Sequence, residues 1–450
     1  MRLHIDRLGI NGEGIGKSTD NENKDKLCFV SFALPNEDIE IEIIGDKKNY
    51  STAKLKEILE KSEKRVTPKC KFFGVCGGCD IQHMDKSLQL EFKKIKVADT
   101  LKKISKLDIG VSDVIRLNDY SYRNKMVFPI IRKNNINIIG MFAPSSHDIV
   151  EIDSCLICNE TINKVLNISK GFFRKSILHG FDFKTKKGQL KYLVVRSINE
   201  KTLVTIVTTK IIDLEDYYQC LAQNFDNIGL SLIVSDSFDD ILSGKYFYID
   251  GLKNLELVEH DLKYNIDNRG FLQVNYEVKE VLYNLVLNEI DNESEVIDAY
   301  SGAGLLSAII SNKAKFVTAI EINKSARNSA INLARENNIN NIKFICGDVK
   351  NYMSSVAMHK QNLIIILDPP RSGCEKSVID AIISLENNVK KIIYISCNPS
   401  TLARDLDYLK DKFVPYKIVP LDMFPQTKHV ETIVCLKCVN NTKEVWKWKK

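Results

Sequence analysis

Three short segments carry reactive side chains in a fixed order along a chain of 450 residues: Asp368-Pro369-Pro370, Ser396-Cys397-Asn398-Pro399, and the run from Phe424 through His429 to Glu431. The first two follow apolar runs, LIIIL before Asp368 and KIIYIS before Cys397, which read as buried parallel strands. An acid and a thiol then emerge at the carboxyl ends of neighbouring strands, the edge where open α/β sheets bind ligands. A thiol beside a cofactor crevice, with a carboxylate and a histidine arriving from a later segment, suits covalent catalysis with separate removal of a proton.

Upstream, Val296-Ile-Asp298-Ala-Tyr300-Ser-Gly302-Ala-Gly304 is a strand running into a glycine turn that opens a helix. Glycines let a ligand approach the backbone, and a helix amino terminus favours a carboxylate or phosphate. The next strand ends at Glu321, an acid able to accept both hydroxyls of a ribose, and the following one at Asp348, placed to meet an adenine amino group. A dinucleotide is the usual rival. Its third glycine is missing, however, because Leu305 and Ser307 occupy the places where it would fall. The pattern therefore favours S-adenosylmethionine.

The chain has twelve cysteines. Cys28, Cys220, Cys346, Cys435 and Cys438 sit singly in apolar segments and read as small core residues. Cys70, Cys76 and Cys79 share a loop and, with the distant Cys155, offer four thiolates, enough for a [4Fe-4S] cluster or for zinc.

The elements that must position these groups divide the chain into three. Residues 1–58 alternate polar and apolar positions around Gly12, Gly14, Gly16 and Pro35 and read as a small β-barrel. The Gly12–Ser18 run looks like a phosphate loop but has Asn11 where a glycine is needed, and lies at a barrel turn. Residues 59–265 form a second unit: a charged linker, the cysteine loop, a lysine-rich helix over 86–106 that presents either a solvated or an RNA-facing side and could pack on the last unit, and a mixed α+β region. From 266 to 450 strands and helices alternate regularly and finish in an antiparallel pair, an α/β doubly wound sheet. Hydrophobic content of 44% and charged content of 27% are those of a soluble globular protein, and a net charge of +6 allows a nucleic-acid partner without requiring one. The amino terminus has no apolar core of a signal peptide and apolar runs are only strand-length, so the cytoplasm is the expected location.

Phe271-Leu-Gln273-Val-Asn275, Gly302-Ala-Gly304 after Asp298-Ala-Tyr300, Asp368-Pro-Pro-Arg371-Ser-Gly373, Ser396-Cys397-Asn-Pro399 and His429-Val-Glu431-Thr together resemble the RNA uracil-5-methyltransferase family across the chain. The first unit resembles a TRAM domain, and the cysteine cluster resembles that of the ribosomal RNA branch. The resemblance implies a Rossmann-like methyltransferase domain that converts uracil to 5-methyluridine, in 23S ribosomal RNA before transfer RNA. It gives Cys397 the attack on uracil carbon 6 and Glu431 the carbon 5 proton. Asp368 would border both cofactor and uracil, with Gln273, Tyr300, Gly302, Glu321 and Asp348 lining the S-adenosylmethionine site. It also implies a [4Fe-4S] cluster, with Cys155 a better fourth ligand than Cys158. Arg123 and Lys125 become candidate RNA contacts, against a solvated turn. A monomer with no membrane or DNA partner is expected.

Three other classes fit less well. Amino-group methyltransferases share Asp-Pro-Pro but place an aromatic ring where Arg371 stands, and leave Cys397 idle. Radical S-adenosylmethionine methylthiotransferases need Cys-x3-Cys-x2-Cys and a carboxy-terminal TRAM unit, both missing here. A non-catalytic RNA-binding protein would have no use for Cys397 and Glu431 together. Leu305 and Leu333 depart from the family, at a usual polar cofactor contact and a usual asparagine.

Overall fold

A computed structural model describes residues 1–18, 26–237, 240–357 and 362–439. Residues 440–450, which the expected third unit includes, lie outside the described residues.

The amino-terminal strands form one six-stranded sheet that curls on itself around Leu3, Ile5, Val30, Ile39 and Ile41. The closure is tight: a Cβ on Gly16 would stand 2.0 Å from the His4 carbonyl oxygen, so only glycine fits there. Gly14–Lys17 is itself a strand of this sheet, not a turn before a helix. The last strand, Tyr50–Glu60, runs slightly past the expected edge of the unit.

The helix Lys86–Ile104 begins at Asp85, whose carboxylate accepts the Leu88 backbone N–H at 2.7 Å. Its Val97 and Leu101 are buried in the core of the last sheet with Leu402, Leu406 and Phe413, so this helix leaves the second unit and packs on the third. Between them stands a seven-stranded sheet, from the edge strand Lys245–Gly251 to Ile149–Glu151, covered by the helices Glu160–Arg174 and Glu215–Ala222. The hairpin Leu255–Glu259 with Leu262–Ile266 turns its apolar side chains toward Leu272, Val278 and Val296, on the far side of the boundary expected at 265.

The last sheet has the order Ile342–Cys346, Phe316–Glu321, Glu295–Ala299, Leu363–Leu367, Val389–Ser396, Glu431–Cys438, Phe413–Leu421. The first five strands are parallel and the last two antiparallel. This is a Rossmann-like α/β fold. Leu363–Leu367 is completely buried, as expected of a central strand with helices on both faces, and that burial explains why its sequence is continuously apolar. The chain switches direction between Glu295–Ala299 and Leu363–Leu367, which opens a crevice at their carboxyl ends.

Candidate active site

At that crevice the first strand leads into Tyr300, Gly302 and Gly304, all with positive φ (67°, 56° and 79°). A Cβ on Gly302 would meet no atom within 4 Å, so the backbone there faces open space that a ligand can enter. Gly304 is required for another reason: its Cβ would stand 2.5 Å from that of Ala330. The Glu321 carboxylate accepts the backbone N–H groups of Gly302 at 2.8 Å and Asn323 at 2.6 Å, which fixes it at the lip of the crevice with lone pairs to spare. Asp348 is half-buried and held by Lys350, at 3.1 Å from its ammonium. Leu305 and Leu333 both pack in the core beneath.

Gln273 arrives on a loop pinned from the neighbouring sheet. Its carbonyl accepts from Asn124 Nδ2 at 2.9 Å, and the same loop receives Lys125 Nζ on the Asn268 carbonyl at 2.6 Å and Arg196 Nη2 on that of Gly270 at 2.5 Å. Lys125 is therefore neither a solvated turn residue nor open to RNA as placed; burial and the nearby Arg196 bring its pKa down to about 7. Arg123 lies half-buried, its guanidinium 5.9 Å from the centre of the Phe424 ring.

The reactive groups meet at the same edge. Asp368 directly follows Leu363–Leu367, Cys397 directly follows Val389–Ser396, and Glu431 opens the antiparallel strand that returns beside it, with Ser396 paired to Thr432. Asn398 then caps the helix Pro399–Leu409, its side chain accepting from Ser400 N at 3.1 Å, which turns the chain sharply after the thiol.

Electrostatics follow from crowding acids into a dry edge. Burial pushes Asp368 up to about 7, with Asp298 adding to it. Asp298 is pushed to about 7 by its own burial, opposed by the Ser307 hydroxyl that it accepts. Glu431, 4% exposed, is held well above the usual carboxylate range by burial and then by Asp368, while Arg371 pulls it back. The Cys397 thiol is raised by burial and by Glu431, again against Arg371. His429 is lowered to about 4 by burial and by Arg371, so it is neutral near pH 7. An acidic crevice of this kind favours a cationic ligand, and a carboxylate of raised pKa is suited to keep a proton it takes. Sequence reasoning gave no role to Asp298 or Arg371, though both lie inside the motifs it used. It also passed over Asp405, which accepts the Cys374 N–H at 2.8 Å and the Tyr394 hydroxyl at 2.6 Å and so holds the loop after Asp368. Nothing local marks an acid on a helix for that task.

The cysteines gather at a second place. Cys70, Cys76, Cys79 and Cys155 line one cavity of about 30 Å³ with Phe72, Met126 and Ile152. Asn163 brackets Cys155, accepting its N–H at 2.7 Å and donating to its carbonyl at 3.1 Å. Among the described residues no three His, Cys, Asp or Glu side chains are grouped closely enough to hold a single metal ion. Cys158 is buried, and its hydrogen bond to Cys155 brings that thiol down to about 7.

The model of the tRNA (uracil-5-)-methyltransferase family matches residues 85–439. An RNA methyltransferase of Clostridium tetani described as uncharacterised is 35% identical, over 98% of this chain and 97% of its own. One from Clostridium acetobutylicum is 33% identical, over 97% of each. The crystal structure of Pyrococcus abyssi tRNA (uracil-54, C5)-methyltransferase in complex with S-adenosyl-L-homocysteine is similar with a TM-score of 0.76 and 26% identity, over 97% of this chain and 100% of that one.

Proposed function

Because the chain belongs to the tRNA (uracil-5-)-methyltransferase family, whose reaction uses S-adenosylmethionine, we propose that it methylates carbon 5 of a uracil in 23S ribosomal RNA with Cys397 as nucleophile and Glu431 as base. The observation that carries this reading is the arrival of a thiol and a buried carboxylate at one sheet edge, beside a crevice open at Gly302.

Uracil carbon 5 is too weak a nucleophile to accept a methyl group unaided. The Cys397 thiolate adds to carbon 6, the C5–C6 double bond opens, and the electron pair moves to the carbonyl as an enolate that makes carbon 5 nucleophilic. S-adenosylmethionine, when bound, supplies the methyl group from a cationic sulfonium. Glu431 then takes the remaining carbon 5 proton, the double bond re-forms, and the C6–S bond breaks to return the Cys397 thiolate. Both faces of the ring are needed, so the base must leave its stack. Gln273, Tyr300, Gly302, Glu321 and Asp348 hold the cofactor, and Asp368 borders it and the uracil. Open backbone at Gly302, the fixed Glu321 carboxylate and the acidic crevice suit that cation.

The same reading makes residues 1–58 a TRAM-like RNA-binding unit. It gives Cys70, Cys76, Cys79 and Cys155 a structural [4Fe-4S] cluster, in a monomer acting in the cytoplasm. What supports the cluster is that these four thiols line one mostly apolar cavity.

Transfer RNA is the second reading. The Pyrococcus abyssi enzyme, named for a tRNA uracil, is similar over nearly the whole chain, so its match includes the amino-terminal sheet, which counts toward ribosomal RNA only together with the cysteine cluster. Mapping 5-methyluridine in both RNA classes from cells with and without the gene decides between them. Loss of the mark from 23S ribosomal RNA alone is the expected result, and loss from transfer RNA alone overturns it.

A further inference from the structure

The loop that delivers Glu431 is held almost entirely by a distant part of the chain. It joins Phe413–Leu421 to Glu431–Cys438 and contains Gln426 at φ 70°, a left-handed conformation that a side-chain-bearing residue keeps only when its surroundings over-determine it. Those surroundings are residues 80–122. The backbone N–H groups of Asp80 and Ile81 donate to the Gln426 carbonyl at 3.1 and 3.2 Å, and the Tyr122 hydroxyl donates to that of Pro425 at 3.0 Å. Lys93 donates to the Phe424 carbonyl at 3.1 Å, and Lys96 to that of Lys428 at 2.9 Å. The Asp80 carboxylate grips Lys428 twice, accepting its N–H at 3.3 Å and standing 3.4 Å from its ammonium.

Asp80 directly follows Cys79, and Lys428 lies three positions before Glu431. We propose that Asp80 and Tyr122 are positioning residues for the proton-removal step, fixing the Phe424–His429 loop so that Glu431 meets carbon 5 of the substrate. The proposal rests on the uracil reading for the step it names. Neither side chain touches the reacting atoms; each acts through the loop backbone, so its loss displaces the base without removing it.

The test uses the full-length protein. Asp80→Ala and Tyr122→Phe are compared with the unaltered protein for kcat and KM on RNA, for the fraction of protein left covalently attached to ordinary RNA, and for amide hydrogen exchange over residues 424–430. Misplacement of a reacting group by about 1 Å can cost on the order of 100-fold. Asp80→Ala should lose about that much in kcat with KM for RNA unchanged, leave more protein attached to RNA, and exchange faster in this loop. Asp80→Asn keeps an acceptor for the Lys428 N–H and should recover much of the rate. Tyr122→Phe removes one hydroxyl and leaves Asp80, the neighbour of Cys79, in place; it should show the same split, and it carries the test where Asp80→Ala does not fold. Unchanged kcat in Tyr122→Phe despite faster exchange would overturn the proposal, and so would a raised KM at constant kcat. An unaltered protein that methylates no RNA while the loop still loosens in the variants would sink the uracil reading instead, because exchange is measured without turnover.

Discussion

Cys397 stands opposite Glu431, one step beyond the Ser396–Thr432 pair that ends the antiparallel ladder between their two strands. The proposed nucleophile and the proposed base, more than thirty residues apart in the chain, are thus set side by side by sheet register, and Glu431 helps to raise the Cys397 thiol. A one-residue slip in that pairing would turn one of the two side chains to the other face of the sheet.

The facing pair should divide the reaction in two. RNA carrying 5-fluorouridine should trap a covalent adduct with the unaltered protein and none with Cys397→Ala, whose turnover should fall on the order of 10,000-fold or more. Glu431→Gln should lose about 100- to 10,000-fold in turnover and remain attached to ordinary RNA with the methyl already transferred, seen as a slow band on a denaturing gel. Normal product release by Glu431→Gln would make Asp368 the next base to test.

Arg371 is the cation that favours the charged forms of both Cys397 and Glu431. Its replacement by glutamine should raise the thiol pKa further and reduce the thiolate present at neutral pH. Alkylation of Cys397 by iodoacetamide, followed by peptide mass spectrometry across a pH series, should slow and shift to higher pH. Equal rates for the two proteins would remove Arg371 from this role.

Asp368 and Asp298, each raised to about 7, should make cofactor binding proton-linked. An acid whose folded pKa is raised favours the folded state most below its unfolded value, so this contribution is lost as pH climbs from about 4 to about 7. A cation bound beside these groups lowers their pKa, and binding near pH 7 should therefore release protons. Calorimetry in buffers of different ionisation enthalpy reads that release directly, and heats that do not depend on the buffer would count against an acidic cofactor crevice.

Protein purified without oxygen should be brown, with iron and sulfide present, and Cys79→Ser should lose the colour. No open iron would remain for radical chemistry if all four thiolates are ligands. Stoichiometric zinc without iron would contradict the cluster.

Local sequence determined the strands and the chemistry at their ends, because a buried parallel strand must be continuously apolar and whatever follows it must emerge at the binding edge. The Gly302 turn, Glu321, Asp368 and Cys397 were legible for that reason. The strand order, and with it the meeting of Cys397 with Glu431 and of Asp298 with Asp368, depended on pairing between distant segments. So did the fate of Lys125, which in sequence is a cation in a turn-like stretch and in the fold is bound to the Asn268 carbonyl. The hold of Asp80 on Lys428 spans 348 residues of chain and leaves no periodic trace, since one carboxylate and one backbone N–H carry no pattern until tertiary packing brings them together.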